Sequence, residues 1–306
     1  MKNNNVFKAI SYNCIGCGLC EAICPKKCIE INEVGNKGLL PVIKEDKCTN
    51  CGICIKVCPT NKIIEMEKID IIKQICIGKS KNKNIVKYSS SGGIVSSILI
   101  DLFEKQEIDA AIVAYFDKNL NVYGDIITST DDVRNHSGSY YQTAKMLVNI
   151  NKIKKYRSVA FVGLPCHNIA LKKYIDNYKI TNINFSISLF CSIGRLKNGM
   201  IEYLKDNRYI VDELSNVNYY VSRFGEEKPG KIIIKIGDKQ IIFDCMNYLQ
   251  SMDYLYIPEG CLNCKKLFGI EYSDISVGDN WGIKTNEKIA IFAVNSQKGI
   301  KLIKNN

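Results

Sequence analysis

Apolar residues change period several times along the chain. After Gly93 they fall at Ile94, Val95, Ile98, Leu99, Leu102 and Phe103, the spacing of one helix face. Ala110 to Phe116 is an apolar run of strand length, and so are Val159 to Val162 and Ile183 to Phe190. Helices are expected over Thr143 to Lys155, Asn168 to Ile175 and Met200 to Lys205. Strands alternating with helices predict an α/β core. Within it, Ile232 to Ile236 and Gln240 to Phe243 flank Gly237-Asp238, the pattern of an inserted β-hairpin. Nearer the start, Ile29 to Asn32 and Leu40 to Ile43 flank a glycine-bearing turn and predict a short hairpin. Residues 67–88, with Lys79, Lys81, Lys83 and Lys87, are expected to form a solvated linker. No run approaches about 18 uninterrupted apolar residues, so no membrane-spanning helix is expected. Met1 to Asn5 lead into no apolar stretch, so no secretory signal is expected and the cytoplasm is the expected location.

With 306 residues, 46% hydrophobic and 24% charged, the chain is expected to fold as two or three domains and not to be disordered. Cysteine changes the picture. There are 15, an odd number, which argues against a disulfide framework and for metal binding. Cys14, Cys17, Cys20 and Cys24 recur as Cys48, Cys51, Cys54 and Cys58, displaced by 34 residues, with Pro25 repeated as Pro59. Each set is Cys-x2-Cys-x2-Cys-x3-Cys-Pro. Three close cysteines bind one cubane, and the fourth reaches the other cluster. One 4Fe–4S cluster is therefore expected on Cys14, Cys17, Cys20 and Cys58, and a second on Cys48, Cys51, Cys54 and Cys24. Zinc would gain nothing from the third close cysteine or the proline. Residues 6–66 resemble bacterial two-cluster ferredoxins, an α+β fold, within an expected domain 1–66. Cys28 and Cys76 have no vacancy to fill and are expected to be small buried residues.

Of the remaining cysteines, Cys166 opens a helix after a strand, where free amides favour a thiolate. Cys191 follows another strand. In an open parallel sheet, ligand groups gather beyond the strands' carboxyl ends. Cys261 and Cys264 form a Cys-x2-Cys pair on a loop. A third four-cysteine site and a set of scattered buried thiols are both open on this pattern.

Five segments together resemble the family of coenzyme F420 hydrogenase/dehydrogenase beta subunits over residues 89 to about 285. They are Ser89-Ser90-Ser91-Gly92-Gly93, Gly138-Ser139-Tyr140-Tyr141, Gly163-Leu164-Pro165-Cys166-His167, Phe190-Cys191-Ser192-Ile193-Gly194, and Cys261-x2-Cys264 with Ser273 to Gly282. The resemblance implies a flavin-binding core over 89–306, with FAD and a third 4Fe–4S cluster on Cys166, Cys191, Cys261 and Cys264. Serines and glycines before a helix suit a phosphate, since amides and dipole face the anion; an ordinary serine cap is the alternative. Ser90, Ser91, Gly92 and Gly93 are thus candidate flavin contacts, as are Ser139, Tyr141, Asp279 and Trp281. Two positions depart from the family: Tyr140 stands where a lysine is usual, and Ser192-Ile193-Gly194-Arg195 where His-Gly-Val-Pro is usual.

His136 and His167 are too few for a histidine metal site. The formal charge of +11 falls to roughly +5 once three clusters are counted. A basic chain suits an acidic redox protein or an anionic coenzyme. Dispersed basic residues without interleaved aromatics argue against nucleic acid. The expected function is an iron–sulfur flavoprotein oxidoreductase relaying electrons between a two-electron donor such as coenzyme F420 and a redox partner or ferredoxin. Two alternatives stand beside it: a ferredoxin-dependent reductase of another substrate, and a non-catalytic electron-transfer subunit.

Overall fold

The computed structural model describes residues 5–6, 13–61, 68–208, 217–262 and 264–304. The ends of the expected two-cluster segment (1–4, 7–12 and 62–66), the start of the expected linker at 67, Asn263 and the terminal 305–306 lie outside the described residues.

The first unit contains α1 (Leu19–Ile23), β1 (Ile29–Glu33), β2 (Leu39–Ile43) and α2 (Ile53–Val57). Strands β1 and β2 pair antiparallel, from Ile29↔Ile43 to Glu33↔Leu39. The repeat in the sequence is a repeat in the backbone. Gly18 and Gly52 precede the two helices with φ of 83° and 74°, left-handed values that glycine adopts without Cβ strain. Cys24 and Cys58 end them in extended backbone.

The core follows in the order β3 (Gln74–Gly78), α3 (Lys83–Tyr88), α4 (Ile94–Glu104), β4 (Ala110–Phe116), β5 (Val122–Ile127), α5 (Thr130–Asn135) and β6 (Ala144–Lys145). Then come β7 (Val159–Gly163), α6 (Pro165–Tyr178), β8 (Ile183–Leu189), α7 (Lys197–Asp206), β9 (Val217–Phe224), β10 (Lys231–Ile236) and β11 (Lys239–Asp244). The chain closes with α8 (Cys245–Met252), α9 (Glu259–Leu262), β12 (Ile275–Asp279), β13 (Ala290–Val294) and α10 (Gln297–Lys304).

Among the described residues, eight strands form one mixed sheet in the order β3-β13-β12-β8-β7-β4-β5-β6. Its centre, β12-β8-β7-β4, is parallel. Both faces are covered, which explains unbroken apolar runs where a half-exposed strand would alternate. Ala110, Ile112, Val159 and Phe161 point to one core with α6, α7 and Leu19 of the first unit. Ala111, Val113, Ala160 and Val162 point to the other, with α4 and α10.

Three expectations need correction. Residues 143–155 are not a helix: β6 is followed by turns and a 3-10 segment, Ile150–Lys155. Here Leu147 donates its N–H to the Cys17 carbonyl (2.8 Å), and Asn149 donates its side chain to Gly124 (2.9 Å). The Cys17 carbonyl takes an N–H that a helix would use, and the Asn149 side chain ties the segment to β5. The described part of the expected linker, residues 68–88, is not a plain linker. It supplies β3, paired with β13 from Gln74↔Val294 to Gly78↔Ala290, and α3, capped by the Asn82 side chain. The inserted element is a three-stranded antiparallel sheet, because β9 pairs with β10 on the side away from β11.

Candidate metal centres and the adjoining cationic cluster

The repeats enclose two cavities. One is lined by Cys14, Cys17, Cys20 and Cys58, with about 320 Å³ of non-atom space partly open to solvent. The other, of about 330 Å³, is lined by Cys24, Cys48, Cys51 and Cys54. Each cavity takes three cysteines from one repeat and the fourth from the other, because α1 and α2 lie side by side and each delivers its terminal cysteine across. Burial, and then neighbouring thiols, oppose ionisation. Cys14 is pushed up to about 11 by burial, with Cys58 adding to it. Cys17 and Cys20 are raised further by burial and then by their neighbours in the same cavity. Soft thiols crowded round a cavity, each penalised as a bare anion, are relieved when cationic iron takes the thiolates. This donor set fits a 4Fe–4S cubane. Among the described residues, no three His, Cys, Asp or Glu side chains converge to hold a single ion; the thiols surround a space instead.

The sequence reading of Cys28 as filler was incomplete. It is 3% exposed, and its Sγ lies 3.5 Å from Cys24 Sγ, lining the second cavity as a fifth sulfur. Cys76 is half-buried on β3, and Cys245 is buried at the start of α8.

A third group gathers Cys166 on the first turn of α6, Cys191 after β8, Cys261 on α9 and Cys264 beyond it. The Cys166 thiol is raised by burial and then by Cys191, Cys261 and Cys264, so all four sulfurs are electrostatic neighbours. Burial followed by Cys261 and Cys264 pushes Cys191 up to about 12. This group adjoins the first cavity. Cys17 also raises Cys166, and Gly260 sits against the Cys14 carbonyl so closely that a Cβ there would come within 2.7 Å of the carbonyl carbon.

The candidate flavin residues converge on side chains that the sequence did not single out. Arg223, 3% exposed on β9, pairs with Asp279 and donates Nε–H to the Pro229 carbonyl (3.1 Å). Burial disfavours its charge, but Tyr141 and Asp279 outweigh that and raise its pKa. The guanidinium lies 5.8 Å from the Trp281 ring, and Lys228 Nζ lies 5.3 Å from it. Ser139 donates its N–H to Ser222 Oγ (3.0 Å), one residue before Arg223. Lys288 is fully buried and donates to the carbonyls of Ser89 (2.6 Å), Val86 (3.4 Å) and Arg223. Burial, and then Arg223, push its pKa down to about 8. Nothing in local sequence marks Arg223 or Lys288, since each is one of 42 lysines and arginines.

The loop before α4 divides its roles. Ser91 Oγ donates to the Ile289 carbonyl (3.0 Å). A side chain on Gly92 would lie 2.5 Å from the Gly78 carbonyl and 2.8 Å from Ala290 N, so this glycine serves close packing against β3 and β13. Ser90 Oγ is buried without a partner, as are Arg223 Nη2, Asp279 Oδ1 and Asn280 Nδ2. Buried polar atoms without partners are costly, and a polar ligand would satisfy them. Tyr140, at the usual lysine position, instead stacks on Phe116 (5.6 Å) within a trio that includes Tyr220. Arg195 pairs with Asp253 (2.7 Å), lies 6.0 Å from the Tyr141 ring and partly offsets the rise in the pKa of Cys191. His167 is buried and neutral, its pKa lowered to about 4 by burial, and its Nδ1 accepts the Leu164 N–H. His136 packs beside Asp125.

Comparison with known proteins adds to this geometry. For the coenzyme F420 hydrogenase/dehydrogenase beta subunit, the profile of the C-terminal part matches residues 156–306, and that of the N-terminal part matches 75–151. A 4Fe-4S dicluster domain matches residues 13–62. A subunit of the F(420)H(2) dehydrogenase of Methanosarcina mazei is 27% identical over 291 residues, 88% of this chain and 77% of that protein. An uncharacterized protein of Methanocaldococcus jannaschii is 27% identical over 205 residues, 63% of this chain and 53% of that protein. A chain of the F420-reducing nickel–iron hydrogenase complex from Methanosarcina barkeri shares the fold with a TM-score of 0.57, at 18% identity over 76% of this chain and 78% of that one.

Proposed function

The chain belongs to the family of coenzyme F420 hydrogenase/dehydrogenase beta subunits, and on that footing we propose that it relays electrons between a two-electron carrier resembling coenzyme F420 and a one-electron protein partner. Family and dicluster domain make it an iron–sulfur electron-transfer protein of oxidoreductase type. The observation that carries the finer reading is the sequence of neighbours. Arg223 touches Tyr141, Tyr141 faces Arg195, Arg195 faces Cys191, and Cys166 of the same group faces Cys17 of the first cavity. The second cavity then reaches the surface at the exposed Cys51.

In this reading Cys166, Cys191, Cys261 and Cys264 hold a third 4Fe–4S cluster. Ser90, Ser139, Tyr141, Arg223, Asp279, Asn280 and Trp281 surround an FAD, with Arg223 and the α4 N-terminus facing its anionic part. A bound flavin would supply exchange between two-electron and one-electron chemistry, which clusters do not perform. The chain's own contribution is position and charge. Lys288 fixes the loop before α4 by holding the Ser89 carbonyl, and the buried Arg223–Asp279 pair presents its unpartnered atoms to the ligand. The basic surface would attract an anionic coenzyme. No helix is long and apolar enough to cross a membrane among the described residues, and we assign the protein to the cytoplasm, docked on a redox partner.

Anaerobic purification with iron, sulfide and flavin analysis tests this. About twelve irons from three cubanes and one flavin per chain are expected. Changing Cys166, Cys191, Cys261 and Cys264 together to serine should remove about four irons; unchanged iron content refutes the third site. Reduced coenzyme F420 should lose its reduced-state spectrum as a one-electron dye is reduced. Flavin without that oxidation, but with ferredoxin-driven flavin reduction, would favour a ferredoxin-dependent reductase.

A further inference from the structure

The two cavities are related by the repeat, yet their fourth cysteines have different side-chain neighbours. Cys24 Sγ has Cys28 Sγ at 3.5 Å. Cys58 Sγ has Thr60 Oγ1 at 3.4 Å. Both neighbours are buried, at 3% and 8% exposure, so neither is shared with bulk water. Neither occupies the repeat-equivalent position of the other. Cys28 is four residues beyond its cysteine and Thr60 two, and Lys26 stands where the first repeat would match Thr60.

We propose that Cys28 and Thr60 are positioning residues that donate hydrogen bonds to Cys24 and Cys58 and so set the potentials of the two clusters independently. The inference rests on the two-cluster reading with exchanged fourth ligands. A ligating cysteine is a thiolate and can only accept, so the neighbouring S–H or O–H must be the donor. The second cluster's four places are filled by the repeat cysteines, which leaves Cys28 the donor's role. A hydrogen bond to a ligand sulfur withdraws charge and favours the reduced cluster, raising its potential. A hydroxyl is the stronger donor and a thiol the weaker. Two nearly symmetric sites thereby receive unequal adjustment.

The test is a redox titration of the full anaerobic protein, following each cluster by electron paramagnetic resonance, with iron content measured in parallel. Cys28→Ala and Cys28→Val should lower the second cluster's midpoint and leave the first cluster's in place. Thr60→Val should do the reverse. Thr60→Ser should return the first cluster's midpoint to that of the unaltered protein, and Cys28→Ser, with the stronger hydroxyl donor, should bring the second cluster's midpoint to or above it. Iron content should stay constant throughout. Valine fills the space of Cys28, so a shift shared by Ala and Val reports the lost donor and not a cavity. Midpoints unmoved in Ala and Val, or moved equally by Ser, overturn the proposal. Loss of four irons in all three Cys28 variants overturns it too, since Cys28 would then be a ligand. An unaltered protein with fewer than eight irons in the N-terminal segment would instead refute the two-cluster reading itself.

Discussion

Replacing Arg223 with methionine separates the structural and ligand-holding roles of the cationic cluster. The guanidinium side chain is 4% exposed and its partner carboxylate on Asp279 14%. Removing the cation leaves a carboxylate in a poorly solvated place, a loss of roughly 3–5 kcal/mol. The Pro229 carbonyl and the Tyr141 hydroxyl lose a partner as well. For a body of about 150–250 residues, each kcal/mol moves Tm by roughly 2–4 °C, so the apparent Tm should fall by roughly 6–20 °C. Asp279→Leu should cost a similar amount by stranding the guanidinium. The double variant, Arg223→Met with Asp279→Leu, should be more stable than the sum of the two losses, because an apolar pair leaves no unpaired charge. The assay is anaerobic thermal unfolding of all four proteins, with flavin content measured on the same samples. The double variant should recover stability without recovering flavin. Strictly additive losses would refute the ion pair. Stoichiometric flavin in the double variant would remove Arg223 and Asp279 from the flavin site.

Gly260→Ala forces the α9 loop away from Cys14, since its Cβ meets backbone that cannot rotate aside. It should cost about 1–3 kcal/mol and reduce iron content, whereas Gly78→Ala, whose Cβ meets open space, should do neither. Lys288 should give stability a rise with pH. An unfolded lysine keeps its proton to about 10.5, while buried Lys288, opposed by Arg223 and favoured by Asp279 and Cys245, loses it near 8. Between these values the unfolded chain binds more protons, so stability increases by up to about 1.4 kcal/mol per pH unit. Raised thiols such as Cys14 and Cys191 act in the opposite sense above about pH 9, so the Lys288 contribution is read by difference: the gap in urea midpoint between the unaltered protein and Lys288→Gln should widen in favour of the unaltered protein from pH 7.5 to 10.5, and a constant gap would refute it. Cys24→Ser should damage the cluster held by Cys48, Cys51 and Cys54; paramagnetic resonance showing loss only of the Cys14 cluster would refute the exchanged ligands.

What the sequence determined by itself was whatever a local pattern encodes. Cysteine spacing with its trailing proline is the pattern of a 4Fe–4S ligand set, it recurs after 34 residues, and a 4Fe-4S dicluster domain matches that stretch, residues 13–62. Apolar runs at 110–116 and 159–162 announced strands buried on both faces. Pairings across long stretches of chain were decided only by the tertiary structure. Strand β3 exists because β13 lies beside it, and the 143–155 segment abandons a helix where the Cys17 carbonyl takes the Leu147 N–H. The same holds for chemistry. Gly92 reads in the sequence as a phosphate glycine, and the fold adds a second demand on it, close packing against the backbones of β3 and β13. Arg223 and Lys288 look like ordinary surface basics until folding buries them, because burial and the loss of water around a charge are properties of the assembled chain and not of any neighbouring residues in sequence.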